Sequence, residues 1–242
     1  MKEIHIKNKL KKIGMPVNSL SLGDFDSIGH FTAYKERTEG SELYRKVGRF
    51  FRPNYERGLL IYSLIKKYKL KTYLEVGFGR GYSALCAAKA LDENGGGKIT
   101  TVDPTIHPQQ WEMIQQVFPK SWVDMITVAQ VKSQDYLVMH KDKYDLVYID
   151  GDHTYDAVKE DWENCKDRYN NFLLFDDYHK TQEKGEIQCS KLIDEIENDS
   201  KEFAETTQEE TEVTEETTEE NKEEKFEDVV LADGTVAQIE PE

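Results

Sequence analysis

At 242 residues, with 38% hydrophobic content, the chain can bury one core of about 200 residues and carry something extra. Its formal net charge of −15 is uneven: residues 199–242 hold 17 of the 47 acids but only 3 of the 32 Lys and Arg, leaving −1 for residues 1–198. A near-neutral body with no basic stripe argues against nucleic-acid binding. Cys86, Cys165 and Cys189 are scattered without CxxC spacing, which argues against a disulfide framework or a zinc site and favours a reducing compartment. The opening MKEIHIKNKLKKIG lacks the apolar core of a signal peptide, and no run approaches the roughly 20 apolar residues of a membrane span. A cytoplasmic protein with no membrane partner is expected.

Residues 1–50 are polar, with Phe31, Tyr34, Tyr44, Phe50 and Phe51 scattered among charges, as in a leader whose aromatics pack on a larger body. YERGLLIYSLIKKY (55–68) places Leu59, Leu60, Leu64 and Ile65 at helical spacing. Strands and helices then alternate. KTYLEV (71–76) reads as a strand, YSALCAAKAL (82–91) as a helix and KITTVD (98–103) as a second strand. PQQWEMIQQVF (108–118) is a helix with Pro108 in its first turn, where a missing N–H does no harm. MITVA (125–129), DLVYI (145–149) and FLLF (172–175) supply three more strands. Between the last two, Tyr155, Val158, Trp162 and Cys165 mark one face of a helix, with Thr154 as its N-cap. The alternation predicts an α/β fold: a Rossmann-like, doubly wound, mostly parallel sheet with helices on both faces and ligands at the carboxyl ends of its strands.

GEIQCSKLIDEIEN (185–198) predicts one more helix. The Glu- and Thr-rich run that follows is too charged to bury a core, so a disordered acidic C-terminal tail is expected over 199–227. VVLADGTVAQIE (229–240) has the pattern of a hairpin turning at Asp233-Gly234, either as returning sheet strands or as an unrelated tail element.

Chemistry concentrates at two strand ends. The first strand runs into EVGFGRG, with Glu75, Gly77, Gly79 and Gly81 at two-residue intervals. Glycines there admit positive φ and let a ligand lie against bare backbone. A dinucleotide fingerprint would need glycine at position 82, which is Tyr, and Glu75 would sit poorly beside a pyrophosphate. The loop suits a ligand that has cationic groups and no phosphate. Asp103 closes the second strand, where a carboxylate can accept hydrogen bonds from two ribose hydroxyls. At the other end, YDLVYIDGDH delivers Asp150, Asp152 and His153, and FLLFDDYH delivers Asp176, Asp177 and His179. Carboxylates gathered at adjacent strand ends repel unless protons or a cation intervene. Asp150, Asp176 and Asp177 are therefore read as ligands of a hard divalent ion, Mg²⁺ or else Mn²⁺ or Ca²⁺, against the plainer reading of loop-capping acids.

The loop EVGFGRG with Asp103 resembles motif I of the class I S-adenosylmethionine-dependent methyltransferases. The resemblance implies S-adenosylmethionine as cofactor, held by Glu75, Gly77, Gly79, Gly81 and Asp103. An acid after the third strand often meets the adenine in that family. In VKSQDYL Lys132 stands at its position, leaving Asp135 as the candidate. Over about residues 55–180 the acids resemble those of metal-dependent O-methyltransferases of the catechol and macrolide-sugar types. DGDH matches the sugar-modifying branch, and the resemblance puts His153 at its general-base position. Asn170-Asn171 replaces the glycine pair usual before the fifth strand.

The expected organisation is a leader or lid at 1–54, a methyltransferase domain at 55–198, the acidic linker at 199–227 and a C-terminal hairpin at 228–242. The expected reaction is metal-assisted O-methylation of a small hydroxylated acceptor, a sugar or a phenol. The alternatives are a metal-independent methyltransferase and a non-catalytic cofactor-binding interaction protein. An ordinary histidine pKa of about 6.5 would make the rate fall on the acidic side.

Overall fold

The computed structural model describes residues 29–42, 51, 53–177, 188–196, 227–230 and 236–239. Residues 199–226 of the acidic linker, the Asp233-Gly234 turn, Tyr44, Phe50 and His179 lie outside the described residues. The elements in chain order are α1 (Gly29–Gly40), α2 (Tyr55–Tyr68), β1 (Thr72–Val76), α3 (Tyr82–Glu93), β2 (Lys98–Val102), α4 (Pro108–Val117) and the short α5 (Lys120–Val123). They continue as β3 (Ile126–Ala129), α6 (Ser133–Met139), β4 (Tyr144–Ile149), α7 (Tyr155–Cys165) and β5 (Tyr169–Phe175). A further helical segment, α8, covers 189–196, and two strands follow, β6 (Glu227–Val230) and β7 (Val236–Ile239).

The sheet order is β3-β2-β1-β4-β5-β7-β6. Its first five strands are parallel; β7 then pairs antiparallel with β5, and β6 with β7. Both faces are covered, and the strand period of two sorts the side chains between them. Tyr73, Leu146, Tyr148, Phe172 and Leu174 join one core with Leu60, Leu64 and Ile65 of α2 and the alanines of α3. Their neighbours Leu74, Val76, Val147, Ile149, Leu173 and Phe175 join a second core with Val158 and Cys165 of α7 and Leu192 and Ile193 of α8. Near-continuous apolar strands are the consequence of this double burial. Among the described residues, no helix is long and apolar enough to cross a membrane.

The leader's aromatics enter the first core. Phe31 and Tyr34 of α1 and the neighbouring Phe51 are almost fully buried and meet Tyr82 and Phe118 edge-on. Such ring contacts add about 0.5–1.5 kcal/mol each to area burial. The Tyr34 hydroxyl also donates to the carbonyl of Arg80, in the loop after β1.

Helix α2 is fixed at both ends. Asn54 caps it by accepting from the Arg57 N–H (3.2 Å), and Lys69 closes it in the left-handed conformation. Because the chain reverses at Lys69 into β1, the first turn of α2 lies beside the carboxyl ends of the strands. That turn carries Arg57.

Candidate active site

At the switch point between β1 and β4 the first loops diverge and open a cleft of about 730 Å³. Its walls include Gly77, Gly79, Asp103, Ser133, Asp150 and Asp161. The glycine loop makes the opening. Gly77, Gly79 and Gly81 have φ of 91°, 51° and 80°, the left-handed region that side chains other than glycine rarely adopt. At Gly77 a Cβ would lie 1.9 Å from the backbone oxygen of Asp150, so only a bare backbone lets β1 and β4 leave the sheet side by side. At Gly79 a Cβ would meet nothing within 4 Å, on a residue that lines the cleft. Gly77→Ala should therefore lower the thermal midpoint by at least about 4 °C, given a cost of roughly 1–2 kcal/mol for the backbone conformation and a backbone clash besides. Gly79→Ala, at φ 51°, carries the backbone cost without the clash and should shift it less. Differential scanning calorimetry of the two variants checks the contrast, and an unchanged midpoint for Gly77→Ala would contradict it.

Asp103 ties the two loops together. Its Oδ2 accepts from the Gly79 N–H (3.0 Å), and its Oδ1 from the N–H and hydroxyl of Thr105 (2.7 Å each). Glu75 is fully buried one residue before β1 ends, and neither carboxylate oxygen has a hydrogen-bond partner at ordinary geometry among the described residues. Burial and then Asp150 push its pKa well up, with the Ser83 hydroxyl acting in the opposite sense. A buried acceptor left so is costly unless a ligand or proton meets it. These features fit a cofactor with an ammonium and a ribose: an open glycine cradle, a carboxylate at the end of β2 and an unsatisfied carboxyl at the end of β1.

Asp135 is not part of this wall. It is exposed on α6, and Lys132, Ser133 and Gln134 line the cleft instead. The residue the sequence reading passed over is Asp161, 3% exposed in α7, whose Oδ1 accepts from the Ser133 hydroxyl at 2.5 Å. Burial raises it to about 6, partly offset by Ser133.

The acids after β4 and β5 do converge, though not on one another alone. Arg57 Nη1 lies 2.5 Å from Asp150 Oδ2, 2.8 Å from Asp176 Oδ2 and 2.9 Å from the Tyr148 hydroxyl oxygen. Burial lowers the Arg57 pKa, but Tyr148, Asp150 and Asp176 more than offset this, so the guanidinium stays charged. Asp176 is itself raised by burial and by Asp150, with Arg57 opposing. Asp177 turns elsewhere. At φ 55°, it brings Oδ2 to 2.8 Å from His153 Nδ1, an ion-pair contact without an aligned N–H. On the other side of the ring, Nε2 is 3.6 Å from Asp150 Oδ1. The three acids expected to share one ion are thus divided between a guanidinium and an imidazole. No group of three His, Cys, Asp or Glu suited to a metal ion occurs among the described residues. The divalent ion expected from sequence does not fit this arrangement, because a cation already meets two of its oxygens.

His153 differs from its expected state as well. Asp150 first, then Asp177 and Cys189, raise its pKa to about 12 against the opposing effect of burial. Both carboxylates favour the charged ring, so its titration is expected well above the ordinary 6.5. Asp152 Oδ1 accepts from the Thr154 N–H at 2.9 Å, just before α7.

Residues 74–178 match the model of a methyltransferase domain. The chain is 32% identical over 101 residues to a caffeoyl-CoA O-methyltransferase-like protein of Arabidopsis thaliana, a match spanning 40% of this chain and 42% of the plant protein. Among solved structures, the S-adenosylhomocysteine-bound methyltransferase PaMTH1 of Podospora anserina superposes with a TM-score of 0.57 at 15% identity, covering 88% of each chain. An O-methyltransferase of Bacillus cereus in complex with S-adenosylhomocysteine gives 0.54 at 14% identity, over 99% of this chain and 100% of that one. The fold is the class I, Rossmann-like methyltransferase fold.

Proposed function

We propose, for a chain whose residues 74–178 form a methyltransferase domain on the class I fold, that it transfers a methyl group from S-adenosylmethionine to the hydroxyl of a small molecule. The observation that carries this reading is the pairing of an open glycine cradle, tied to Asp103, with a histidine held between Asp177 and Asp150, the second of which lines the same cleft. Gly77, Gly79 and Asp103 would hold the cofactor's backbone-facing side and ribose, with Glu75 toward its cationic end. When bound, the cofactor supplies an electrophilic methyl on a sulfonium that leaves as a neutral thioether.

His153 holds the acceptor as its anion. Asp150 and Asp177 keep the proton on the ring, so the ring cannot take the acceptor's own proton; the hydroxyl gives that proton to water before transfer, and the imidazolium stabilises the oxyanion that attacks the methyl. A phenol, with a pKa near 10 in tyrosine, meets that requirement more readily than a sugar hydroxyl. Metal assistance is the finer expectation that this arrangement disfavours, since Arg57 already meets Asp150 and Asp176.

The test is a panel of phenolic and sugar acceptors with methyl-labelled S-adenosylmethionine, read by mass spectrometry. Label should appear on oxygen, with phenols ahead of sugars. A protein that binds cofactor but methylates no hydroxyl in the panel, while labelling an amine or thiol, would contradict the reading.

A further inference from the structure

We propose that Arg57 is the resident cation of this site, taking the place between Asp150 and Asp176 where a divalent ion would bind, so that methyl transfer needs no metal. The inference rests on the O-methyltransferase reading for its consequence in turnover, but its structural part stands alone. One nitrogen, Nη1, lies within 2.8 Å of an oxygen from each carboxylate. An ion joining the same two oxygens would sit about 2.0–2.6 Å from each and so needs the same space and the same lone pairs. Both cations cannot occupy it.

The guanidinium has the advantage of attachment. Asn54 caps α2 beside it, and Leu59, Leu60, Ile61 and Leu64, all at most 2% exposed, anchor the helix behind it. A tethered group acts at an effective concentration of roughly millimolar or above, and free Mg²⁺ competes with it only after shedding part of its water shell. The Tyr148 hydroxyl oxygen, on the strand that ends just before Asp150, lies 2.9 Å from the same nitrogen.

Arg57 is then a positioning residue. It holds Asp150 Oδ2, which leaves Oδ1 turned toward His153 Nε2 at 3.6 Å. The positive charge that an ion would bring to the acceptor side of the cleft comes instead from the protein, and Asp176 is neutralised in the same contact.

Mn²⁺ binding, followed by electron paramagnetic resonance on the full chain, separates the possibilities. Wild type should bind no Mn²⁺ up to about millimolar concentration, and its turnover should be the same in EDTA as in Mg²⁺. Arg57→Ala should gain one Mn²⁺ site that Asp150→Asn in the same chain removes, with turnover in EDTA at least tenfold below wild type and partly restored by Mn²⁺. Arg57→Gln, closer in size, carries the same expectation if the alanine variant folds poorly. Arg57→Lys keeps a cation and should gain no site. A wild-type protein that binds one Mn²⁺ through Asp150, or neutral variants that gain no site, would overturn the proposal. Failure of the O-methyltransferase reading would show separately, as absent transfer alongside the expected Mn²⁺ pattern.

Discussion

His153→Ala should lower the rate constant for transfer by roughly 10²–10³-fold, the usual effect of losing one positioned donor to an oxyanion, with cofactor affinity nearly unchanged. The ring lies between Asp150 and Asp177, while the groups expected to hold the cofactor stand on β1 and β2. Its proton inventory fixes the pH dependence. The folded pKa of about 12 lies above the unfolded value, so the two carboxylates contribute stability that is fully present below pH about 6.5 and lost as pH rises through about 12. Near neutral pH the ring is already charged. The rate should therefore rise with pH as more acceptor ionises, without the break near 6.5 that an isolated histidine would give. Ring-proton NMR of the free protein should show His153 protonated through pH 8. A variant turning over within a few-fold of wild type, or an NMR midpoint near 6.5, would remove this role.

Asp103→Ala should weaken S-adenosylhomocysteine binding about ten- to a hundred-fold, the equivalent of losing about 1.5–3 kcal/mol from a charged acceptor. The same substitution frees the Gly79 N–H and both Thr105 donors, so the cradle loses its tie to the loop after β2. Asp103→Asn retains one acceptor oxygen and should lose less. Calorimetric titration of the three proteins orders them, and an alanine variant that binds like wild type would show that Asp103 serves the loop alone.

The sheet was legible because its signals are local. Val, Ile, Leu, Phe and Tyr in short runs, punctuated by the glycines after Val76 and the acids after Ile149 and Phe175, are what doubly buried parallel strands require. The glycine loop was legible for the same reason. Arg57 was not. It lies 93 residues from Asp150 in sequence, in a helix whose apolar face was the only visible signal, and its partners exist only once α2 folds back over the strand ends. The acids are visible in the sequence but Arg57 beside two of them is not, because like charges at adjacent strand ends announce a countercharge without saying which kind. His153 shows part of the same limit: its pKa is raised first by Asp150, three residues away in sequence, and then by Asp177, which only β4–β5 pairing brings near. Asp135 was chosen for its charge, whereas the helical turn puts Ser133 and Gln134 on the cleft and a buried acid on α7 behind them. An acid in mid-helix carries no sequence mark that separates it from a solvated one.

The central claim is that the cleft between β1, β2 and β4 takes S-adenosylmethionine. Isothermal titration of the wild-type protein with S-adenosylhomocysteine, beside the same titration with NAD, addresses it most directly. The account predicts one saturable S-adenosylhomocysteine site per chain, unchanged by EDTA, and no binding of NAD. Tight binding of NAD with no heat from S-adenosylhomocysteine would contradict it.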